Sequence, residues 1–576
     1  MTQPLRPGSL ASLERLFERE LAAGEAVAFC LPGGVTLFEA GDEADQLYLL
    51  RAGRLAVRLG EGAGVGLIHP GEAVGEMALI AGGPHSAGVF ALRDSELVTL
   101  PGEAFLRAAR AEPGLALELS RLVLARVHPA ANVEASGSPR VFGFVGVSPG
   151  IRIRGLVTRV AEAIRDLGHT VAVVGDETGP DTPEWLTGVE AAHDYVLYAA
   201  EDEETSWKIV VGRQVDAVMR VGAGSGPPPA EIAARLPPLA APGDLVLLQD
   251  AQCSVPRGSA AWTTALSPRR LFQVRQSCQA DIDRMARMIT GRAVGLVLSG
   301  GAARAYAHIG AVRVLRQSGV PIDFIGGVSM GAIVGAGVAM GWDDDELDRR
   351  LRKAFVDSSP VDDIAIPLIA MTRGEKVRTR LAEHFGDRQI CDLWLPFFCG
   401  TTNLTTGAYQ IDRRGAVREV LRASLSLPGV LPPVTVGEDV LVDGAVLNNF
   451  PADVMRRFHD GPIVGVDVGR GRSIEARDVQ IPRSLLHWFA SGEWRNGPPI
   501  VSLLMRAATV TAARDTAAAR QATDLLVLPN VDEIEIRDWR AYEPAVAEGA
   551  RAMKAALAEL DRPVSELRRR PRPAAK

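Results

Sequence analysis

Apolar and polar residues follow three different rhythms along the chain, and each rhythm predicts a different kind of domain. Up to about residue 128, short apolar runs alternate with glycine- and proline-containing turns, a spacing typical of antiparallel β-structure. These runs are Val35–Phe38, Leu47–Leu50, Leu55–Leu59, Val65–Ile68 and Leu97–Leu100, and helical patterns follow at Gly102–Arg110 and Leu115–Val127. We therefore predict an N-terminal antiparallel barrel or sandwich over residues 1–128.

The second block, residues 140–275, alternates apolar runs with helical patterns. Val141–Val147 is followed by the helical pattern Ile153–Leu167 and by the apolar run Val171–Val174. This order predicts a small parallel α/β layer. Its first turn, Gly146–Gly150, is glycine-rich but has no Lys-Ser/Thr ending and no G-x-G-x-x-G pattern, which favours a structural or coupling role over nucleotide binding.

A helical connector around Pro268–Ile289 is predicted to lead into the third block, residues 290–560. Here a short apolar run enters a segment of small apolar residues through the turn Gly327-Val-Ser-Met-Gly331. Ser329 would lie on a sharp bend, where small residues two positions away on each side let a strand and a helix approach each other. The pattern is that of a nucleophile elbow, although an ordinary glycine-rich turn can share it.

A second glycine-rich segment precedes the elbow and predicts a site for negative charge. The predicted strand Val294–Leu298 leads through Gly300, Gly301 and Ala302 into a helix. A tight loop of small residues at the start of a helix gathers backbone N–H groups into a concave nest. Such a nest is how an oxyanion hole is built, so these three residues are the predicted donors.

An aspartate downstream supplies a candidate base. Asp443 ends the apolar run Val440–Val442 and is followed by Gly444. In isolation an Asp-Gly pair is usually a turn. After a glycine-rich loop and a serine elbow, however, it predicts a carboxylate that accepts the proton of Ser329 directly, without a histidine.

The order of these segments resembles the patatin-like phospholipase family. Its glycine-rich loop, its G-x-S-x-G turn and its Asp-Gly-Ala/Gly motif match Gly300–Ala305, Gly327–Gly331 and Asp443–Ala445. With the preceding blocks, the whole chain resembles bacterial relatives of neuropathy target esterase. The resemblance implies a multidomain α/β protein with a C-terminal hydrolase domain built on a central sheet. It also implies a serine esterase that acts on phospholipids or lysophospholipids without a cofactor.

Three features of this region leave alternatives open. The family usually has glycine where this chain has Ala302 and Ala305, so a degenerate lipid-binding or regulatory scaffold is the alternative to an active enzyme. Arg304 matches the family's arginine and is expected to anchor the loop or, less favoured, to meet a phosphate. A Ser-Asp-His triad would instead need His459 or His487, and His308 is expected to be packed within a helix.

The first block resembles the cyclic-nucleotide-binding domain. The matching segments include Gly75-Glu-Met-Ala-Leu79 and Pro84-His-Ser-Ala87, which align with the family's phosphate-binding cassette. The resemblance would place Gly75, Glu76, His85 and Ser86 in that cassette. His85 stands where the family has an arginine, and a mostly neutral imidazole replaces a permanent charge poorly. The sequence therefore favours a domain that has kept its fold without binding a nucleotide.

Composition narrows the remaining possibilities. A net charge of -7 over 576 residues predicts no nucleic-acid partner, and five scattered cysteines indicate neither a disulfide framework nor a metal site. The absence of an apolar signal sequence predicts a cytoplasmic protein, peripheral at most on the inner face of the membrane. The apolar stretch 485–505 is a candidate membrane-facing lid or part of the core. A basic tail, residues 561–576, could meet anionic headgroups.

Overall fold

The computed structural model describes residues 11–58, 65–127, 140–180, 182–201, 206–230, 232, 243–358, 362–366, 369–469 and 516–568. The chain divides into two compact units. The first comprises residues 1–222 and 228–246, and the second comprises residues 223–227 and 247–576.

The first unit begins with two antiparallel sheets, which confirms the predicted N-terminal β-domain. The strand orders are β1-β8-β3-β6 and β2-β7-β4-β5. The strands are β1 (Val27–Leu31), β2 (Thr36–Phe38), β3 (Gln46–Ala52), β4 (Leu55–Arg58), β5 (Val65–Ile68), β6 (Ala73–Val74), β7 (Gly88–Ala91) and β8 (Ser95–Pro101). The helices are α1 (Ala11–Ala23), α2 (Glu76–Ala81), α3 (Gly102–Ala111) and α4 (Pro113–Val127). The sequence pattern predicted α3 and α4 but missed α1 and α2.

Parallel strands follow, as the alternating pattern predicted. In the first unit, β9 lies between β11 and β12, β10 pairs with β11, and all of these pairings are parallel. The elements are β9 (Val141–Gly146), α5 (Ile153–Asp166), β10 (Val171–Val174), α6 (Pro183–Ala192), β11 (Tyr195–Ala200), α7 (Ser206–Gln214) and β12 (Ala217–Ala223). The buried guanidinium of Arg93 joins the β-domain to this layer through contacts with Glu190 and Asp216.

The predicted helical connector Pro268–Ile289 is wrong in its first half. The next elements are β13 (Gly243–Gln249), α8 (Ser259–Leu266), β14 (Leu271–Arg275) and α9 (Gln279–Thr290). The segment Leu271–Arg275 has apolar residues at alternate positions, Phe272 and Val274, and both are buried. A period of two suits a strand, and this signal outweighs the helical pattern that begins only at Gln279.

The second unit contains one mixed sheet of eight strands in the order β19-β20-β17-β16-β15-β21-β22, with β18 paired to β17. Strands β17, β16, β15, β21 and β22 are parallel to their neighbours in this run, whereas β18, β19 and β20 pair antiparallel. The strands are β15 (Gly295–Leu298), β16 (Phe324–Val328), β17 (Phe397–Asn403), β18 (Ala408–Asp412), β19 (Val434–Val436), β20 (Asp439–Asp443), β21 (Ile463–Val466) and β22 (Leu525–Val527).

Helices cover this sheet and complete its core. They are α10 (Ala307–Gln317), α11 (Ser329–Ala339), α12 (Asp344–Leu351), α13 (Glu375–Phe385), α14 (Val417–Ser424), α15 (Ala452–Arg456) and α16 (Tyr542–Ala558). Helix α10 packs against α16 without intervening side chains, because a methyl group added at Gly310 would lie 1.9 Å from the carbonyl oxygen of Val546. Helix α11 is buried along its whole length.

Candidate active site

Ser329 lies at the junction of β16 and α11, in the strained conformation that the elbow pattern predicts. Its φ angle is +55°, a left-handed value that is rare outside glycine. The strand brings the chain to the carboxyl edge of the sheet, and the helix begins at the serine itself. The residue is 9% exposed, so its hydroxyl is at the border between the core and solvent.

Glycines on both sides of Ser329 make this bend possible. A methyl group added at Gly331 would lie 2.4 Å from the carbonyl oxygen of Ser299, at the end of the neighbouring strand β15. One added at Gly327 would lie 2.8 Å from the backbone nitrogen of Ala332. Neither distance is compatible with a side chain, so the spacing of the two glycines has a steric cause.

The register of three strands brings Asp443 beside the elbow. Val328 of β16 is level with Gly400 of β17, and Thr401, the next residue of β17, is level with Asp443 of β20. A methyl group at Gly444 would lie 2.5 Å from the carbonyl oxygen of Gly400, so the chain turns tightly after the aspartate. The Ser329 side chain lies close enough to the Asp443 carboxylate to lower the pKa of that group.

The environment of Asp443 makes it a stronger base than an ordinary aspartate. Burial raises the pKa of its carboxyl to about 7, even though the hydrogen bond from the backbone of Ala445 and the nearby Ser329 side chain act to lower that pKa. The Ala445 N–H donates to the carboxylate at 2.9 Å. A carboxyl with this pKa exchanges protons near neutral pH, as a general base must.

The glycine-rich loop lies directly opposite the serine. A methyl group at Gly300 would lie 3.2 Å from Cβ of Ser329. The N–H of Gly300 donates to the carbonyl of Asn449 at 3.2 Å, so this group is not the free donor that the sequence predicted. Within the described residues, the N–H groups of Gly301 and Ala302 have no hydrogen-bond partner. These two remain as candidate donors to an oxyanion.

The two alanines in this loop differ in conformation. Ala302 has a φ angle of +47°, whereas Ala305 is not among the residues with positive φ. Ala305 is fully buried in the short 3₁₀ turn Ala302–Tyr306 that precedes α10. Only Ala302 therefore carries the left-handed strain that glycine would avoid, which amounts to about 1 kcal/mol.

Arg304 joins the glycine-rich loop to a distant segment of the chain. Its Nε donates to the carbonyl of Ile534 at 2.7 Å, and the N–H of the adjacent Ala303 donates to the carbonyl of Ile536 at 3.2 Å. The guanidinium is largely buried. These contacts support the anchoring role over a direct contact with a substrate phosphate.

Two residues that the sequence did not single out also hold the site together. Ser424 accepts a hydrogen bond from the Ser329 N–H at 2.8 Å and donates to the carbonyl of Gly400 at 2.7 Å. Asn449 donates its side-chain amide to the carbonyl of Gly300 at 3.1 Å. These contacts join segments far apart along the chain, so only the tertiary structure shows them.

The histidines do not complete a triad in the described structure. His459 is buried near the start of β15, where a methyl group at Gly295 would approach it to 3.0 Å, and its ring meets Phe324 edge-on. Gly295 is at the opposite end of β15 from the catalytic edge. The Nε2–H of His308 donates to the carbonyl of Ser299 at 2.8 Å, and burial lowers the pKa of His308 to about 4. His487 lies outside the described residues.

In the N-terminal domain, His85 occupies the place expected for the phosphate-binding arginine, and its ring packs against a neighbouring side chain. Its ring stacks on Phe38 with centroids 3.6 Å apart, and burial lowers its pKa. Gly75 adopts a φ angle of +90°, and Glu76 behind it is buried, while Ser86 is exposed. This segment presents a neutral ring where a cyclic phosphate would need a cation.

The α/β layer contains one position where a phosphate would be expected in a nucleotide-binding protein, and a carboxylate fills it. The N–H groups of Ile153 and Arg154, at the start of α5, donate to the Glu201 side chain at 2.8 and 3.2 Å. A helix N-terminus favours an anion. Because an internal anion is already bound there, a structural role for the layer is favoured.

Within the described ranges, no cluster of His, Cys, Asp or Glu side chains could hold a metal ion. Nor does any helix in those ranges have the length and apolar character needed to cross a membrane. The predicted lid 485–505 lies outside the described residues, as do residues 569–576 of the basic tail.

Comparison with known proteins agrees with the geometry. Residues 296–456 match the Patatin-like phospholipase family, and residues 29–112 match the Cyclic nucleotide-binding domain. An uncharacterized NTE family protein of Mycobacterium tuberculosis is 30% identical, over 92% of this chain and 91% of its own length. The chain belongs to the NTE family. It is an enzyme of the patatin-like phospholipase class, and the lipid hydrolase prediction is confirmed at that level.

Mammalian proteins of the same kind are longer. Human Patatin-like phospholipase domain-containing protein 6 is 28% identical over 76% of this chain but only 37% of its own length. Rat Patatin-like phospholipase domain-containing protein 7 is 29% identical over 76% of this chain and 38% of its own length. The similarity to these proteins therefore concerns a part of each of them.

The conformations of Ala302 and Ala305 predict opposite effects of glycine. Ala302→Gly should leave the free energy of unfolding unchanged or raise it by up to about 1 kcal/mol, because it relieves left-handed strain. Ala305→Gly, the matched control, should lower it by about 1 kcal/mol, because glycine adds freedom to the unfolded chain without relieving strain. Urea denaturation measures both. Equal destabilisation by the two variants would contradict the assignment of strain to Ala302.

The packing of His85 predicts that the N-terminal domain does not bind cyclic AMP or cyclic GMP. A neutral ring stacked on Phe38 offers no charge to the cyclic phosphate. Isothermal titration calorimetry of each nucleotide into the full-length protein should give no binding heat. His85→Arg serves as the comparison, since gain of binding would identify the missing charge as the cause. Micromolar binding by the unmodified protein would disprove the prediction.

Proposed function

We propose that this NTE family enzyme hydrolyses fatty acyl esters of lysophospholipids or phospholipids with a Ser329–Asp443 dyad. One observation carries the proposal: a serine in a left-handed elbow lies beside a buried carboxylate, and burial raises the pKa of that carboxyl to about 7. The proposal needs no cofactor. It extends the family assignment to particular residues and to a substrate class.

In the acylation step, Asp443 accepts the proton of the Ser329 hydroxyl while the serine oxygen attacks the ester carbonyl. The carbonyl oxygen then carries negative charge. The N–H groups of Gly301 and Ala302 are the proposed hydrogen-bond donors to this oxygen. Protonated Asp443 supplies a proton to the leaving alcohol of the lipid. The product of this step is a fatty acyl ester on Ser329.

Deacylation reverses the roles. A water molecule gives a proton to Asp443 as its oxygen attacks the acyl-enzyme, and the serine oxygen leaves with the proton returned by the carboxyl group. The same residue can serve in both steps because its pKa is close to the working pH. A carboxylate with an ordinary aspartate pKa would take up the proton much less readily.

A lysophospholipid is the substrate favoured first, because a single-chain lipid leaves its aggregate more easily than a two-chain lipid. The protein is expected to act in the cytoplasm, with peripheral contact to the inner face of the membrane. The alternative of a degenerate scaffold is argued against by the retained geometry of Ser329, Asp443 and the Gly301 loop, although Ala302 departs from the family pattern.

A fluorophosphonate probe tests the nucleophile. The unmodified protein should be labelled and should hydrolyse lysophosphatidylcholine, whereas Ser329→Ala should lose labelling and at least about 1,000-fold in kcat/KM. His459→Ala and His487→Ala are the controls for a triad, and each should retain activity once its folding is verified by thermal melting. A loss on the scale of Ser329→Ala in either control would replace the dyad with a triad. Absence of labelling and hydrolysis in the unmodified protein would favour the scaffold.

The pKa of Asp443 predicts the pH dependence. Only the deprotonated carboxylate can accept the serine proton, so kcat/KM for a soluble ester should rise about tenfold per pH unit on the acid side and level off above about 7. Asp443→Asn should remove this rise together with most of the activity. A half-maximum below about pH 5, where an unperturbed aspartate ionises, would show that burial does not tune this base.

A further inference from the structure

Three isoleucines are the most exposed large apolar side chains in the described part of the protein. Ile366, Ile369 and Ile364 are 81%, 73% and 67% exposed, whereas the next most exposed side chains of this kind reach 57%. Single apolar residues on a surface need no explanation, but a group confined to one short segment marks a contact site.

These isoleucines lie on the two paired arms of a hairpin, residues 363–366 and 369–373. The N–H of Ala365 donates to the carbonyl of Met371 at 2.8 Å, and the N–H of Arg373 donates to the carbonyl of Asp363 at 2.9 Å. In its first arm, exposed isoleucines alternate with half-buried residues, as expected for an extended segment. The backbone pairing therefore holds the isoleucines outward.

The hairpin is bonded to the backbone that carries the active site. The N–H of Met371 donates to the carbonyl of Gly429 at 2.9 Å, and both the N–H and the hydroxyl of Thr372 donate to the carbonyl of Val430, at 3.2 and 2.7 Å. A few residues before Gly429, the hydroxyl of Ser424 accepts a hydrogen bond from the Ser329 N–H. The carbonyl of Ser426 accepts the Asp443 N–H at 3.0 Å.

The other exposed large apolar side chains described in the second unit lie close to the same backbone. Leu404 follows β17, and its N–H donates to the carbonyl of Val440 in β20, the strand that ends at Asp443. Val436 lies in the adjoining strand β19, and the carbonyl of Ile536 accepts the N–H of the residue after Ala302. We call these three residues and the three isoleucines the apolar rim.

We propose that the apolar rim is the surface on which the enzyme docks to a phospholipid aggregate. The inference rests on the proposed function, because the ester bonds of a phospholipid lie at the boundary between headgroups and acyl chains. Side chains that enter this boundary beside the active site would shorten the path of the lipid to Ser329. A narrow hairpin suits fluid acyl chains, which adapt to its shape, and apolar contact scales with the area buried.

Co-sedimentation with phosphatidylcholine vesicles tests the surface, in full-length protein carrying Ser329→Ala so that the lipid stays intact. The triple substitution I364S/I366S/I369S should weaken vesicle binding by at least about 30-fold, since three isoleucines lose their burial. The matched control is V27S/L117S/I209S, which removes exposed apolar side chains of the first unit and should bind as the parent does. Binding should persist at about 0.5 M salt, where exposed charges are screened.

Kinetics separate docking from catalysis. With Ser329 intact, I364S/I366S/I369S should lose activity on lipid in vesicles yet hydrolyse a soluble short-chain ester at the unmodified rate. If the unmodified protein hydrolyses the soluble ester but does not bind vesicles, or the triple variant binds them equally well, the docking surface is disproved while the proposed function stands. A rim that instead mediates self-association would appear in light scattering as a change of mass in the triple variant, and this too would overturn the inference. If the unmodified protein hydrolyses none of these esters, the proposed function is disproved. The vesicle assay would still show whether the apolar rim binds lipid.

Discussion

The catalytic edge depends on backbone segments that lie too close together to admit a side chain. A methyl group at Gly331 would clash with Ser299, and one at Gly444 would clash with Gly400. These contacts fix the start of α11 against β15 and the turn after β20 against β17. The left-handed conformation of Ser329 is costly in isolation, but it persists because the surrounding backbone leaves the residue no alternative.

The same close packing explains the chemistry of Asp443. Removing water from a carboxylate disfavours its charge, and the Coulombic attraction that usually offsets this cost is missing here. Asp323 provides the contrast within the same sheet, since Arg287 contacts both of its oxygens, at 2.9 and 2.6 Å. For Asp443, the described groups that favour its charge are the Ala445 N–H, which donates to the carboxylate, and the neighbouring Ser329 side chain. The carboxyl thereby has the raised pKa that the proposed serine–aspartate mechanism requires.

Local sequence was sufficient for the parts of this site that local geometry determines. The two glycines around Ser329 predicted the elbow, and the apolar runs predicted the strands that carry it. What local sequence could not supply were the contacts between distant segments. Asn449 engages the N–H of Gly300, Ser424 holds the N–H of Ser329, and neither pairing follows from spacing along the chain. The strand within Pro268–Ile289 was missed because its alternation of apolar residues spans only five positions and the longer helical pattern of α9 follows it closely.

Two departures from family patterns have different physical consequences, which explains why the two halves of the chain call for different conclusions. The substitution at Ala302 alters only the cost of a backbone angle, and the structure adopts that angle regardless. About 1 kcal/mol is small beside the packing that holds the loop, so a donor N–H can keep its position. His85 replaces a permanent charge with a neutral ring that is already buried against Phe38. A change of backbone conformation cannot restore the missing charge. This substitution is therefore expected to affect ligand binding more than it affects the fold.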